Sequence, residues 1–508
     1  MRILRSSEIA LVEKKTIEEI GIPSLVLMEN AGRSAFFHIR DRFKDKERFL
    51  VVAGSGNNGG DGVVISRYLK RESKNVILLV LGDNLEKLSP DNAKNIQISQ
   101  KFGLEPIFII ERNLHILEEE IKKCDVIVDA IFGTGFKLPV FGYRGKAIEL
   151  ISISGKPIVS IDIPSGLDAD SHRIFEPSIK ADLTITFAYK KPCHVLLPAS
   201  ERCGEVVLVD IGLDDRYAED FHRFLITPEN LKFPKRKKTG HKYTFGHVGI
   251  VGGSVGKSGA VIMSAKASTK AGSGLVSVIV PDCIDQIVQT NLIEEMSYPL
   301  PSIGGMFSED AYLKIPEVVS TLKISSVVVG MGMSVSNSSR KIVEEVLKLP
   351  KPVVVDADGL NNLSTIPDYK FLLGKRTHPT VLTPHIGEFS RLTGLRSEDI
   401  FDRMEEISLE FCKQTNSYLI LKFSRMMIAT PNGEIFYSTT GNPGMATAGT
   451  GDILAGVVGA LINRLDILDA LKLAVYSHGR AGDLAVLRYS QESLKATDLL
   501  EFIRVDRP

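Results

Sequence analysis

Apolar residues recur in two alternating rhythms along this chain. Residues 6–20 repeat their apolar positions at helical spacing and predict an amphipathic helix. Phe49-Leu50-Val51-Val52-Ala53 is a continuous apolar run that predicts a buried strand, followed by a glycine-rich turn. Val76 to Leu81, Val126 to Ala130, Ile158 to Ile161 and Leu183 to Phe187 repeat the strand signal, with helical stretches between most of them. Short all-apolar strands joined by helices indicate a parallel sheet covered on both faces. From Asp214 to about Lys242 the pattern breaks, and Pro234-Lys235-Arg236-Lys237-Lys238-Thr239-Gly240 is polar, basic and flanked by Pro and Gly. We expect residues 214–239 to be an interdomain linker, with its basic run a solvated connector. A second strand series begins at Val248–Val251 and continues through Leu275 to Val280, Val327 to Val329, Val353 to Val355, Val381-Leu382 and Leu419 to Leu421. The expectation is two α/β domains, residues 1–213 and 240–508.

Composition narrows the setting. The 508 residues carry 62 Lys+Arg and 62 Asp+Glu, so no net charge calls for nucleic acid or an anionic membrane. Five cysteines, odd in number and widely spaced, argue against a disulfide framework or a structural zinc site and suit a reducing compartment. The charged N-terminus is not a signal peptide, and no apolar run is long enough for a transmembrane helix. A cytoplasmic setting is expected, with neither nucleic acid nor membrane as a partner.

Three strand ends in the first domain carry chemistry. Gly54-Ser55-Gly56-Asn57-Asn58-Gly59-Gly60-Asp61-Gly62 follows a strand and opens a helix, where backbone N–H groups and the helix start favour an anion. The G-x-G-x-x-G match is also compatible with a tight turn alone. Two amides and a carboxylate in such a loop supply oxygens and hydrogen bonds for a polar ring or a hard cation. Asp129 and Asp162 each end an apolar run before a turn, with Gly133-Thr134-Gly135 and Ser165-Gly166 just beyond. A lone Asp there is as readily a helix cap or turn former. Ligands nevertheless bind at the carboxyl ends of strands in open α/β sheets, so Asn58, Asp129, Asp162 and Ser165 are candidates for one crevice.

Ile22-Pro23-Ser24-Leu25-Val26-Leu27-Met28-Glu29-Asn30-Ala31-Gly32-Arg33, Asn-Asn-Gly-Gly-Asp-Gly, Asp-Ala-Ile-Phe-Gly-Thr-Gly and Asp-Ile-Pro-Ser-Gly resemble the motifs of the NAD(P)H-hydrate epimerases, from about Thr16 to Gly212. The resemblance implies a Rossmann-like fold and interconversion of the R and S epimers of NADHX and NADPHX. It also implies that Asn57, Asn58, Gly59, Gly60 and Asp61, with Gly133, Thr134, Gly135, Phe136, Lys137, Leu138 and Pro139, bind the hydrated nucleotide. Asn58, Asp129 and Ser165 would ligate K⁺, and Asp162 would contact the substrate and act as acid and base. Cys193 and Ala199 stand where the family has glycine.

In the second domain, Val251-Gly252-Gly253-Ser254-Val255-Gly256-Lys257-Ser258 is not a P-loop, because only three residues separate Gly252 from Gly256-Lys257-Ser258. Gly441-Asn442-Pro443-Gly444-Met445-Ala446-Thr447-Ala448-Gly449-Thr450-Gly451-Asp452, followed by the apolar helix Ile453–Ile462, is the stronger signal. Its N–H groups suit a phosphate in flight, and Asp452 is placed to take a proton from a hydroxyl. An acid simply stabilising a helix N-terminus is the competing reading.

With Gly240-His241-Lys242, Gly330-Met331-Gly332-Met333, Asp356-Ala357-Asp358-Gly359, Thr383-Pro384-His385-Ile386-Gly387-Glu388 and Leu421-Lys422, the stretch from Gly240 to Leu500 is similar to the ADP-dependent NAD(P)H-hydrate dehydratases. That similarity implies a ribokinase-like α/β domain in which Gly332, His385 and Asp452 contact the hydrated nucleotide, with Asp452 the general base. Lys422, Phe423, Ser424, Arg425 and Met426, and Asn442 through Gly451, would hold ADP, accompanied by Mg²⁺; a homo-oligomer is the expected assembly. Tyr243, Met331, Ile386 and Ala448 depart from the family pattern, and the Ala448 methyl would crowd its turn if φ were positive there. Two other readings stay open: a small-molecule kinase with an appended Rossmann-like domain, and a binding or scaffold role for the N-terminal half.

Overall fold

A computed structural model describes residues 1–136 and 138–506, leaving Lys137, Arg507 and Pro508 outside the described residues. The chain divides into two compact units, Arg2–His222 and Arg223–Pro508, Met1 being grouped with the second.

The first unit is built on seven strands: β1 (Arg48–Ala53), β2 (Asn75–Leu81), β3 (Ile107–Ile109), β4 (Val126–Ala130), β5 (Ile158–Ile161), β6 (Leu183–Phe187) and β7 (Glu205–Val209). All pair in parallel, in the order β3-β2-β1-β4-β5-β6-β7. Alternate side chains of β1 serve opposite faces. Phe49, Val51 and Ala53 pack into one apolar layer, while Leu50 and Val52 pack into the other. That double burial is why these strands read as unbroken apolar runs. The strand order reverses between β1 and β4, so their carboxyl ends open a crevice at a topological switch point.

The second unit contains β8 (Arg223–Leu225), β9 (His247–Val251), β10 (Leu275–Pro281), β11 (Met296–Leu300), a small hairpin of β12 (Ser302–Ile303) and β13 (Met306–Phe307), β14 (Ser326–Val329), β15 (Val353–Val355), β16 (Thr380–Leu382), β17 (Tyr418–Lys422), β18 (Met426–Ala429) and β19 (Ile435–Ser438). The main sheet runs β11-β10-β9-β14-β15-β16-β17-β18-β19-β8. It is parallel except where β18 pairs antiparallel with β17 and β19. Helix Thr450–Leu461 is buried along Ile453–Leu461. Gly456 and Gly459 let it lie close, since a Cβ on Gly456 would stand 2.1 Å from the Ser264 carbonyl oxygen, and one on Gly459 2.3 Å from Val328 Cγ2.

The α/β architecture expected of both halves is the one observed. The stretch 214–239 is not a bare connector. Arg223–Leu225 extends the second sheet beside β19, and Ile226 and Leu231 enter that unit's core. Three residues of strand flanked by polar turns leave too short an apolar run to register as a strand in sequence. No helix among the described residues is long and apolar enough to cross a membrane.

Candidate functional site

In the first unit the chain leaves β1 through Gly54–Gly56 and enters helix Asn57–Arg71. The turn is tight enough to exclude side chains: a Cβ on Gly54 would lie 1.9 Å from the Ile131 carbonyl oxygen, and one on Gly59 2.0 Å from that of Gly54. Asn92 fixes the turn by donating from Nδ2 to the Gly54 and Gly56 carbonyls, at 3.0 and 2.9 Å. Beside it opens a cavity of about 470 Å³, lined by Asn57, Asn58, Asp61, Gly133, Thr134, Gly135, Phe136 and Asp162 together with Glu13, Arg144 and Lys191. Gly59, Gly60, Leu138 and Pro139 are not among its lining residues; Leu138 packs against the apolar layer under the sheet. Lys137 lies outside the described residues.

Asp129, the penultimate residue of β4, is fully buried. Its carboxylate accepts from Ser160 Oγ at 2.8 Å, Ser165 N at 2.9 Å and Ser165 Oγ at 2.6 Å. Burial pushes its carboxyl upward against those hydrogen bonds. Ser165 Oγ in turn accepts from the Phe132 N–H at 2.9 Å, which ties β4, β5 and the Gly133 turn together. Gly133 lies against Asn58, to which its Cβ would stand 3.2 Å away, and against Asp162, at 3.4 Å. The Asn58 amide is buried with neither Oδ1 nor Nδ2 partnered. A buried amide left bare costs about 1–3 kcal/mol, so this one is suited to a ligand.

Asp162 follows β5 with φ +67°, the left-handed backbone a non-glycine residue seldom adopts. Its carboxylate meets the Lys191 ammonium, and Lys191 also donates to Thr186 Oγ1 at 2.8 Å. Lys191 is 1% exposed, so its charge is committed to this contact. His194 braces the other side: its Nδ1 accepts from the Lys191 N–H, leaving Nε2 to donate to the Asp162 carbonyl at 3.1 Å. Asp61 is held well above the ordinary carboxylate range by burial, with the nearby Asp162 and Glu13 charges adding to the shift. Glu13 is raised for the same reasons, burial foremost.

In the second unit, helix Thr450–Leu461 starts after Gly449, whose φ is +98°. Asp452 is half-buried in the first turn. Gly451 carries no side chain where a Cβ would lie 3.0 Å from Lys422 Nζ and 3.6 Å from Asp356 Oδ2. Asp356 follows β15, 1% exposed, and accepts from Lys422 Nζ at 2.7 Å. Burial opposes the Lys422 charge, but Asp356 and Glu388 outweigh it and hold the ammonium above its usual range. One lysine faces several carboxylates here. Burial, reinforced by Asp356, pushes Asp452 up to about 7. Burial likewise carries Glu388 to about 7.

His385 caps helix Ile386–Thr393: its Nδ1 accepts from the Gly387 and Glu388 N–H groups at 3.0 and 3.2 Å. Burial and the Lys422 charge lower its pKa, which favours a neutral ring whose Nε2–H remains available. Residues 422–426 form the turn between β17 and β18, where Phe423 N donates to the Arg425 carbonyl at 3.0 Å and Arg425 reaches the Thr439 carbonyl. Asn442 Nδ2 and Gly441 N both donate to Asp483, each at 3.1 Å, anchoring the 441–445 loop to helix Ile467–Tyr489. His478 on that helix reaches the Thr450 carbonyl at 2.9 Å through Nε2, and burial holds its pKa down to about 4. Gly332, with φ +61°, passes beside Lys257. Lys257 is occupied by Asp358 at 3.2 Å, a partner no P-loop lysine would keep.

Neither Cys193, Ala199, Tyr243, Met331, Ile386 nor Ala448 adopts left-handed backbone. Ala448 is exposed, and the positive φ falls on Gly449 instead, so its methyl meets no steric objection. Sequence reasoning missed Lys191, Thr186, His194, Glu13, Asp356 and His478 as site groups. Asp356 had a usable signal, an acid directly after the apolar run Val353–Val355, the same placement that exposed Asp129. Lys191 had none, since a lysine beside Lys190 in a loop reads as solvated.

Two family models match the chain: one described as YjeF-related protein N-terminus over residues 24–193, and one described as NAD(P)H-hydrate dehydratase over residues 248–504. The bifunctional NAD(P)H-hydrate repair enzyme Nnr of Moorella thermoacetica is 36% identical, across 99% of this chain and 96% of that protein. Its counterpart in Thermofilum pendens is 32% identical, across 99% and 95%. An ADP/ATP-dependent NAD(P)H-hydrate dehydratase from Bacillus subtilis, co-crystallised with ATP/Mg²⁺, is 26% identical over 56% of this chain and 96% of its own, with a TM-score of 0.48.

Proposed function

This chain belongs to the bifunctional NAD(P)H-hydrate repair enzymes, and on that premise we propose that residues 1–213 epimerise NAD(P)HX while residues 240–508 dehydrate the S epimer at the expense of ADP, giving AMP and phosphate. Similarity over essentially the full length of named bifunctional relatives carries this reading.

In the first cavity, Asn57, Asn58 and the Gly133–Phe136 turn hold the hydrated nicotinamide nucleotide. Asp61, kept protonated by burial, gives its proton to the C6 hydroxyl as the ring nitrogen lone pair expels it as water, and the Asp162 carboxylate accepts a proton from the water that adds to the other face, the proton then returning to Asp61. Lys191 fixes the orientation of the Asp162 carboxylate, and His194 holds the Asp162 main chain. The unpartnered Asn58 carbonyl, the Asp129 carboxylate and the Ser165 hydroxyl suit a hard monovalent cation. They would hold K⁺, which would supply positive charge beside the bound nucleotide.

In the second site, Asp452 takes the proton of the C6 hydroxyl, whose oxygen attacks the β-phosphorus of ADP as AMP leaves. The ring nitrogen then expels phosphate, a far better leaving group than hydroxide, and loss of a ring proton restores the double bond. The 442–451 loop, the start of helix Thr450–Leu461 and the 422–426 turn cradle ADP. His385 and Gly332 contact the nucleotide being repaired. The surplus of carboxylates over Lys422 suits a divalent cation; Asp356 and Glu388 would hold Mg²⁺, which offsets charge on the diphosphate. We place the enzyme in the cytoplasm, in keeping with five free cysteines.

The test is incubation of the full chain with mixed epimers of NADHX, ADP, Mg²⁺ and K⁺, following the return of dihydropyridine absorbance. Complete conversion of both epimers is expected. No recovery of NADH with either ADP or ATP rejects the assignment, and a stable phosphorylated product favours a simple kinase.

A further inference from the structure

A second cavity, of about 370 Å³, lies in the C-terminal unit among Arg236, Lys270, Arg464 and Arg504, with Asp506 the single acidic lining residue among those described. It is remote from Asp452. Arg464 follows the far end of helix Thr450–Leu461, whose 12 residues separate it from the Asp452 turn by about 18 Å. Gly272, between helix Ser258–Lys270 and the start of β10, also borders it, so the cavity lies at the opposite end of the strands from the nucleotide cradle.

The three arginines are held in place by contacts with the protein. Arg236 and Arg464 both rest on the Phe245 ring, 4.4 and 5.5 Å from its centroid. Arg236 Nη2 donates to the Gly272 carbonyl at 3.0 Å. A Cβ on Gly272 would stand 2.5 Å from Arg464 Nη1, so only glycine leaves that guanidinium its seat. Arg504 is fixed by the Glu501 and Ile503 carbonyls, at 3.0 and 2.9 Å. Among the described residues none of the four forms an ion pair. Burial and the facing Arg236 charge lower the Arg464 pKa, the mark of like charges packed together without a counter-ion.

We propose that this cavity is a second ligand site, which takes a compact polyphosphate anion. Among the described residues, four cations against one carboxylate leave a surplus of three positive charges, matched to a pyrophosphate group rather than to a single carboxylate. The planar N–H edges of three guanidinia suit phosphate oxygens. Arg236, which in sequence belongs to a solvated basic connector, becomes part of a binding wall.

Titration calorimetry of sodium pyrophosphate into the full chain tests this, with wild type compared against Arg464→Gln and against the double variant Lys270→Glu/Arg504→Glu. The latter two side chains are exposed and form no ion pair, so the fold should not depend on them. Saturable binding to wild type is expected, weakening with added NaCl, with affinity about tenfold lower in Arg464→Gln and about a hundredfold lower in the double variant. Absence of pyrophosphate binding to wild type overturns the proposal. So does wild-type affinity in both variants, which would move the anion elsewhere. Tighter binding of a random single-stranded oligonucleotide than of pyrophosphate, lost in the double variant, would replace the small anion with nucleic acid.

Discussion

The two units end a central strand in the same way and then diverge. Asp129 after Val126–Val128 and Asp356 after Val353–Val355 are both fully buried acids at carboxyl ends of parallel strands, each near a helix opened by glycines. In the first unit serine hydroxyls and N–H groups absorb the charge of Asp129, which leaves the mobile chemistry to Asp162 and Lys191. In the second, Lys422 meets Asp356 but is outnumbered, and burial, with the Asp356 charge adding to it, lifts Asp452 and Glu388. Neutral donors make a strand-end acid a scaffold; a shared lysine makes it a device for tuning neighbouring carboxyls.

The sharpest way to break the comparison is Asp452→Asn. Loss of its base should lower ADP-dependent dehydration about 10³-fold while R/S interconversion, followed chromatographically, continues unchanged. Conversely, Lys191→Met should slow epimerisation about 100-fold and leave dehydration of pure S epimer intact. If both reactions fall together in either variant, the division of labour is wrong.

Charge tuning gives a subtler effect. With Asp452 near 7, dehydration should rise with pH through about 7, as the carboxyl loses its proton. Glu388→Gln removes one of the negative charges that raise Asp452, so the acid limb of the kcat/KM profile should move to lower pH. Stability follows the opposite sign. A carboxyl raised on folding binds protons more tightly in the native state, so these groups withdraw stability as pH climbs from the usual carboxylate range through about 7. Thermal melts across that window check it.

The smallest effect concerns Asn58. Because its buried amide has no partner among the described residues, Asn58→Leu should leave the unfolding free energy in K⁺-free buffer within about 1 kcal/mol of wild type. The same variant should lose any K⁺-induced stabilisation. A large destabilisation without K⁺ would mean that the amide serves the fold.

Much of this is legible in the sequence alone. The buried parallel strands announce themselves because both faces are apolar, and glycine-dense strand ends locate both cradles. What escaped was whatever depends on tertiary meeting. Lys191 is invisible as a buried cation until the loop after β6 folds back onto Asp162. The three-residue strand β8 is too short to carry a period. Arg236 looks solvated because its neighbours in sequence are, although Phe245 and Arg464 come from far along the chain.

The left-handed backbone at Asp162 has an evolutionary consequence. A non-glycine residue there costs about 1–3 kcal/mol, but Asp162→Gly alone would strand the buried Lys191 ammonium, a loss of about 3–5 kcal/mol. A lineage released from the need for epimerisation therefore gains thermal robustness at this position only by changing residues 162 and 191 together. The identities of that pair among relatives would then serve as a record of whether the first reaction is still under selection.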